Sequence, residues 1–510
     1  MRYGIILLLL LSSVLDLNAQ VKGDYNWVGG YQSQGTRGFT FNFNHKPVEI
    51  KFTELYWGFG RNIASISDDE GNLLFYCNGR AVFTADHQPM PNGFGINDGE
   101  WATIFWPYPQ YGFPGPQDML ILPDPGNADG YYIIHKAPFY IPNDVNQTEI
   151  RMSYIDMSLN SGKGGVVFKN NYFYTGIYMM SSYLTALRHQ NKKDWWIIQP
   201  KVEDSTFLTF LLDGAGIHRM EDQSTGYFFD KHRSSGSGSA RFSPDGTRYA
   251  IYNFYDQLHV YDFDRETGFL SNHRLVEIYP PEEIDREIFN FGSVEWSPNS
   301  RFIYCSSGVD LFQVDTWEED IQDGVRFIDT YNGAMDPFQS RLYLMVQAPD
   351  CKIYMTPGSG SYSLHVINEP DKLGTDCDFV QGAIKLPNSN GGGLPNFPRF
   401  RVDEEEKCDP TISSIFGQAV YYRRDLKAFP NPTSGPLTLE MPDGFTKGTL
   451  EIVDMRAGTV HRQKIDHPQE RVSLEIGHLP TGIYHLELYP EENTEQVFYG
   501  ARVVLNSSFD

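Results

Sequence analysis

The residue types that could do chemistry are spread thinly along this sequence. Acidic pairs stand at Asp68 with Asp69 and at Glu282 with Glu283. Glycoside hydrolysis needs two carboxylates facing each other across a cleft, one to protonate the leaving oxygen and one to act as base or nucleophile. Both pairs lie in polar, turn-like surroundings, where solvated acids are the plain expectation. His135, His189 and His259 fall in or beside strand-like runs, and packed, hydrogen-bonded imidazoles are commoner there than general bases. The stretch Gly236-Ser237-Gly238-Ser239-Ala240 lacks the last glycine of a Gly-x-Ser-x-Gly nucleophile elbow. The sequence has no His-Glu-x-x-His zinc helix, no Walker loop and no Asp-x-Asp-x-Asp-Gly calcium loop. Gly391-Gly392-Gly393 is not followed by the helix a phosphate cradle requires. No catalytic residue is assigned, and no cofactor or metal is expected.

The residues best suited to binding are aromatic. Trp101, Phe105, Trp106, Tyr108, Tyr111 and Phe113 are interleaved with Pro107, Pro109, Pro114 and Pro116. Proline lacks the N–H a central strand must donate, so this segment reads as a loop. Aromatic planes displayed there could stack on sugar rings or anchor a protein; the alternative is a lid packed on its own sheet. Tyr172, Phe173, Tyr174, Tyr178 and Tyr183 carry the same ambiguity.

Five cysteines are present, Cys77, Cys305, Cys351, Cys377 and Cys408, so at least one is unpaired in a monomer. Cys351 with Cys377 is the preferred disulfide, because both fall in one repeat unit; isolated thiols are the alternative. No Cys-x-x-Cys or Cys/His spacing supports zinc.

These residues need a scaffold, and the composition allows a large one. The chain has 510 residues, 40% of them apolar and 15% aromatic, with a formal net charge of -24. That charge argues against nucleic acid, whose binding requires a basic surface. Arg2 followed by an apolar run over residues 4–15 and a small residue at Ala19 reads as a signal peptide over residues 1–19. No later segment is apolar enough to cross a bilayer as a helix.

The middle of the chain repeats. Ser243-Pro244-Asp245-Gly246 is a turn between two apolar runs, and it returns as Ser297-Pro298-Asn299-Ser300 and Ala348-Pro349-Asp350-Cys351. Proline presets φ at the first corner, and Asp, Asn and Gly tolerate the remainder. Weaker copies centre on residues 68–72, 123–127 and 189–194. The spacing, roughly 50 residues, is that of a four-stranded propeller blade. With the runs 27–31, 38–43 and 48–52 as a further blade, the count is seven, with six and eight as the neighbouring options. The last strand of that blade is expected from residues 397–402, which would close the ring. A short helix is expected only near residues 280–288. The fold class is therefore all-β, a β-propeller over residues 20–402. A charged linker over residues 403–427 then leads to a small immunoglobulin-like β-sandwich over residues 428–510.

That last segment opens Pro430-Asn431-Pro432-Thr433-Ser434-Gly435 and carries Leu479-Pro480-Thr481-Gly482-Ile483-Tyr484 near its end. It resembles the type A C-terminal sorting domain of the type IX secretion system of Bacteroidota. The resemblance implies Sec export, the type IX machinery and its sortase as partners, removal of this domain by that sortase, and a final place at the outer-membrane surface or in the medium. An ordinary adhesion sandwich is the alternative. Upstream, the run from Ile66 to Tyr76, Tyr154-Ile155-Asp156, Leu184 to His189, Lys193-Asp194-Trp195-Trp196 and Gly393-Leu394-Pro395-Asn396-Phe397 are similar to secreted Bacteroidota propellers with WD-like repeats. That group implies a scaffold and no general activity; residues 97–116 depart from its pattern.

Together these observations lead to the expectation of an exported, non-catalytic propeller that binds a glycan or a protein. A polysaccharide hydrolase or lyase on the same scaffold is the alternative, and an envelope or gliding component is a third reading.

Overall fold

Ser243 shows how the repeated turn is built. Its N–H donates to the Arg248 carbonyl at 2.9 Å, and its Oγ accepts from the Arg248 N–H at 3.0 Å. Asp245 accepts from the Thr247 N–H at 3.0 Å, which locks the corner from inside. The next copy repeats this bond for bond: Ser297 N–H to Phe302 O and Phe302 N–H to Ser297 Oγ, both at 2.8 Å, with Arg301 N–H on Asn299 at 2.9 Å. In the third copy Ala348 replaces the serine; the backbone bond from Ala348 N–H to Lys352 O at 2.9 Å remains, and Asp350 accepts from the Lys352 N–H at 3.3 Å. The fourth turn residue has a left-handed φ in all three, at 72° for Gly246, 62° for Ser300 and 67° for Cys351.

A computed structural model describes residues 21–31, 37–104, 107–136, 139–141, 144–229, 238–279, 292–412, 422–454, 459–490 and 497–506. The expected signal peptide (residues 1–19) and the expected helix at residues 280–288 lie outside these, as do Phe105, Trp106, Glu282 and Glu283. The described chain is all-β.

Among the described residues, seven small antiparallel sheets follow one another before residue 391. Their inner strands are Asn26–Gly29, Ala64–Ser67, Met119–Pro123, Thr185–Arg188, Gly238–Phe242, Ser293–Trp296 and Met345–Gln347. These strands are buried almost throughout, because each has a sheet on either side. Burial on both faces erases the alternation of a half-exposed strand. The turn register is the same in the first two copies, with Ala240 opposite Ile251 and Val294 opposite Cys305, whereas the third turn is one residue shorter and places Val346 opposite Tyr354. The seventh sheet packs back on the first: Trp27 meets Tyr354 edge-on at 5.4 Å, in a core shared with Phe39, Phe41, Val346 and Leu364.

Residues 397–402 do not supply a strand to the first sheet. That sheet consists of Asn26–Gly29, Arg37–Asn42 and Glu49–Glu54, and residues 391–402 run through the hub of the ring instead. The disulfide also differs from expectation. Cys351 bonds to Cys408, with their Cα atoms 5.1 Å apart, and Cys377 is a buried thiol. Cys351 sits at the corner between the two innermost strands of the seventh sheet, whereas Cys377 precedes its outermost strand, Phe379–Asn390. That is roughly two strand spacings outward, about 9–10 Å, beyond a disulfide's reach. Much of the expected linker is not free either. Asp403 pairs with Arg265 at 2.9 Å, and Ile412 is buried in the core between the first and seventh sheets. Residues 413–421 lie outside the described residues.

The C-terminal part is a sandwich of two sheets. One contains Tyr422–Asp425, Gly448–Val453, Thr459–Ile465, Gly482–Pro490 and Val497–Leu505, and the other Lys427–Phe429, Pro436–Glu440 and Arg471–Glu475. Leu437, Leu439, Leu450, Ile452, Leu486, Leu488 and Val503 fill the space between them. The motif residues hold this sandwich together. Asn431 donates to Arg502 O at 2.6 Å and accepts from Val504 N–H at 2.9 Å, tying the segment's start to its last strand. Thr433 Oγ1 bonds Pro436 O and Gly435 N–H within the turn, and Tyr484 OH donates to Pro480 O at 2.6 Å. No helix among the described residues is long and apolar enough to cross a membrane.

Candidate functional site

The hub of a ring of sheets is the usual place to look for a ligand, and here the chain's own side chains occupy it. Gly393 begins the passage, where a Cβ would lie 2.8 Å from Gly60 O; only glycine fits so close to a neighbouring backbone. Asn396 then donates to Met119 O and Leu184 O, each at 3.0 Å, and accepts from Arg241 at 2.6 Å, while its N–H reaches Ile63 O at 2.9 Å. Arg399 donates to Phe242 O at 2.8 Å and Gln347 Oε1 at 2.9 Å, and its second Nη reaches Glu295. Arg401 grips Asp24, one contact being 2.7 Å. Three residues thus touch, for each of the seven sheets, the inner strand or the residues leading into it.

The charges in the hub are matched. Glu295 is 1% exposed and accepts from Arg241 Nε at 3.2 Å, from Arg399, and from the N–H groups of Trp296 and Gln347. Burial pulls the Arg241 guanidinium down to about 10, with the Glu295 carboxylate opposing that shift. Both hub carboxylates, Glu295 and Asp24, have their oxygens committed to arginines, which leaves no open face for proton transfer. A cavity of only about 40 Å³ remains beside Arg241, Glu295 and Arg399. Sequence reasoning missed this cluster. The available signal was a charged residue two positions before the turn serine in consecutive repeats, Arg241 before Ser243 and Glu295 before Ser297.

The histidines weighed as bases are structural in their surroundings. His135 lies between Asn97 Oδ1 at 2.6 Å and Ser153 Oγ at 2.9 Å, and burial pushes it down to about 3. Burial does the same to His259, which stacks beside His273. His189 Nδ1 accepts from Asn191 N–H, so its Nε2 carries the proton donated to Glu266 O. Asp68 accepts from Asn72 N–H at 2.7 Å within its turn. Among the described residues no three His, Cys, Asp or Glu side chains cluster as a metal site would require.

The aromatic segment is built as a cap over the second sheet, with a short helix Glu100–Ile104, which carries Trp101, and a single turn Pro109–Tyr111. Phe113 is fully buried beside Ala102 and beneath Arg80, which removes it from the set able to meet a ligand. Tyr108 is 56% exposed; its ring lies 5.6 Å from Tyr111, which lies 6.0 Å from Tyr31. Tyr31 in turn packs on Phe338 and Val453. In the second aromatic group Tyr174 and Tyr183 are buried, Phe173 packs edge-on against Phe210, and Tyr172 is exposed under Arg151.

Phe338 leads to a cavity of about 530 Å³ between the ring and the C-terminal sandwich. Among the described residues its walls include Arg61, Arg341 and Arg502, with Met335, Phe338, Leu342, Tyr343 and Ile483, and no Asp or Glu. Arg61 donates to Gly358 O at 2.9 Å and lies over the Tyr343 ring at 5.4 Å. Arg341 Nε donates to Gln339 at 2.8 Å. The sandwich reaches this place with the outward residues of its larger sheet. Arg37 stacks on Tyr489 at 4.0 Å and lies 3.5 Å from the buried Glu451, and Tyr362 packs against Tyr489. Of the cavity wall, only Ile483 figured among the sequence-derived site residues.

No curated protein sequence matches the chain. Similar solved structures include a protein of unknown function from Desulfotomaculum acetoxidans (13% identity, TM-score 0.39, covering 74% of this chain and 99% of that one). A Lactobacillus plantarum protein has 10% identity and a TM-score of 0.36, with 89% and 100% covered. The periplasmic gluconolactonase of Pseudomonas aeruginosa has 11% identity and a TM-score of 0.34, with 88% and 99% covered. Residues 427–498 match the secretion system C-terminal sorting domain family. The chain therefore carries a type IX secretion sorting domain, which directs it to the cell surface or the extracellular space.

Proposed function

We propose that this chain is an exported, non-catalytic binding protein. The seven sheets are read as a seven-bladed propeller with WD-like repeats, of the kind Bacteroidota secrete, spanning residues 20–402 behind a signal peptide at residues 1–19. The tail from residue 428 is read as an immunoglobulin-like sandwich that hands the chain to the secretion machinery and its sortase. The observation that carries the binding reading is the filled hub. With Asn396, Arg399 and Arg401 occupying the ring's centre, recognition of a glycan or protein moves to the face that bears exposed Tyr108 and its neighbour Tyr111. Trp101, Phe105 and Trp106 belong to the same segment and are proposed as further contacts. The test is a screen of the purified mature chain on glycan arrays and surface-protein panels, alongside polysaccharide turnover assays. Saturable binding without turnover supports the reading. Turnover of a polysaccharide, or no binding to any target, sinks it.

A further inference from the structure

We propose that Tyr56, Trp57 and Phe94 form a stacking platform for a neutral saccharide chain. This rests on the binding reading above and names its ligand class. Tyr56 and Trp57 follow the outermost strand of the first sheet, Glu49–Glu54, and Phe94 ends the outermost strand of the second, Pro89–Phe94. The three rings meet where the two sheets adjoin. Phe94 lies 4.9 Å from Trp57 and 6.0 Å from Tyr56, and Tyr56 lies 5.9 Å from Trp57. All three belong to the ring, so loss of the sorting domain leaves the platform whole.

The first ground is exposure. Tyr56 is 46% and Phe94 42% exposed, and Trp57 is half-buried. Folding is driven by apolar surface leaving water, and the outward parts of these rings take no part in that. A pyranose has a face of C–H groups with partial positive charge, which packs on the negative face of an aromatic ring.

The second ground is area and shape. A covered aromatic side chain buries about 150–250 Å², so three rings exposed to this degree offer roughly 200–300 Å². A stable protein partner needs about 800 Å² on each side, whereas the smaller area is of the order of one or two sugar faces. Neighbouring rings tilt by 48–53°. The platform is therefore folded, which fits a single soluble chain and not the plane of a crystalline polysaccharide.

The third ground is charge. Glu54 and Asp98 are exposed beside the platform. Glu54 precedes Tyr56 by two residues, and a Cβ on Gly95, next to Phe94, would lie 2.6 Å from Asp98 Oδ2. Among the described residues, the cations at this edge are committed. Lys169 Nζ donates to Asn92 O at 3.1 Å, Asn92 Oδ1 at 3.0 Å and Phe94 O at 2.6 Å, and Arg80 donates to Asp98 Oδ1 at 3.2 Å. A carboxylate accepts strong hydrogen bonds from sugar hydroxyls and repels a uronic acid or a sulfate. The edge thus selects neutral sugars.

The fourth ground is preorganisation. Buried Phe83 supports Tyr56 at 6.2 Å and Trp57 at 6.0 Å, and itself stacks on Tyr76 at 5.3 Å. Leu55 is buried in the same core, and Lys169 holds the Phe94 carbonyl. Little side-chain entropy remains to be lost on binding. Asn78 Nδ2 donates to Gly58 O at 3.0 Å and Pro109 O at 3.3 Å, so the residues that follow Trp57 and Tyr108 share one anchor.

The experiment is calorimetric titration of the chain from residue 20 onward with cellohexaose, laminarihexaose and hexagalacturonate. Tyr56→Ala, Phe94→Ala, Tyr56→Phe, Phe94→Tyr and Tyr108→Ala accompany the parent, each checked by thermal melting. The two ring-keeping variants leave the test decisive should an alanine variant misfold. The expected result is binding of at least one neutral hexasaccharide, with no weakening by salt. It falls about tenfold in Tyr56→Ala and in Phe94→Ala, and stays within about twofold in Tyr56→Phe and Phe94→Tyr. No binding of either neutral hexasaccharide, hexagalacturonate binding as tight, alanine variants that bind like the parent, or ring-keeping variants that lose binding would overturn it. A surface protein captured through Tyr56 and Phe94 in place of any sugar would overturn it too. Should the array screen find a target whose binding is lost in Tyr108→Ala and ignores Tyr56→Ala and Phe94→Ala, this assignment fails while the binding reading stands. An array with no target at all defeats that reading itself.

Discussion

Nε of Arg241 lies 3.2 Å from Oε2 of Glu295, where both side chains are almost sealed from water. Arg399, 104 residues beyond Glu295, reaches the other carboxylate oxygen. A carboxylate so buried is tolerable only while its partners stay in place, and the arginines depend on it equally. Glu295→Gln keeps the shape and removes the charge. It should cost about 3–5 kcal/mol in urea unfolding, the usual penalty for stranding a buried ion. Asp86→Asn, which breaks the exposed pair with Lys163, should cost about 0–1 kcal/mol. Similar losses in the two variants would deny the hub its central role.

Asn396 tests the hub without touching charge. Its side chain bonds to Met119, Leu184, Gln117 and Arg241. Asn396→Ala strands buried groups from four partners and should lower stability by about 2–4 kcal/mol. An unchanged melting temperature would count against the described path of residues 391–402.

Peptide mapping under non-reducing conditions should recover Cys351 linked to Cys408, with Cys377 alkylated only after unfolding. Cys408→Ser should destabilise the chain by about 2–4 kcal/mol, and a reductant should do the same to the parent but nothing further to the variant. Recovery of a Cys351–Cys377 peptide would reverse the assignment.

Glu487 faces the ring from the sorting domain. Burial raises its carboxyl to about 7, while the Tyr489 hydroxyl and Arg37 pull it down and Asp336 pushes it up; His485 Nδ1 lies 3.3 Å away. A carboxyl raised on folding holds its proton longer in the folded state than in the unfolded one. Its contribution is therefore fully present below about pH 4.5 and is lost as pH rises through about 7. Buried His135 and His259, depressed on folding, act in the opposite sense over lower pH, so the parent's total slope mixes the two. The difference between Glu487→Gln and the parent isolates the carboxyl. The variant should match the parent near pH 4 and exceed it by on the order of 1–3 kcal/mol at pH 8. A pH-independent difference would place Glu487 in water.

Local rules were legible wherever the signal was local. The turn at Ser243 and its copies can be read directly, because a proline, an acid and a left-handed corner dictate one hydrogen-bond pattern. So can Asn431 and Thr433, whose motif is the hydrogen-bonding plan of the sandwich's entrance. Three things were hidden because they depend on which distant segments meet. Residues 397–402 alternate like a strand, yet Arg399 and Arg401 face inner strands far away in sequence. Cys351 was assigned a partner within its own repeat, whereas its turn corner points at residues 403–412. Arg61, Arg341 and Arg502 are separated by most of the chain, and nothing in their neighbours' sequence announces a common cavity.

Residues 391–402 fill the centre of the ring and are nearly the last part of it to be synthesised. A chain growing from its N-terminus lays down all seven inner strands before the piece that joins them exists. Gln117, Arg241 and Glu295 each then lack one partner at the centre. Completion of the ring is therefore a late event, and the sorting domain emerges directly after it. A chain cut short anywhere before residue 391 loses its keystone and its export address together, so a body without its centre also lacks the signal that would carry it out.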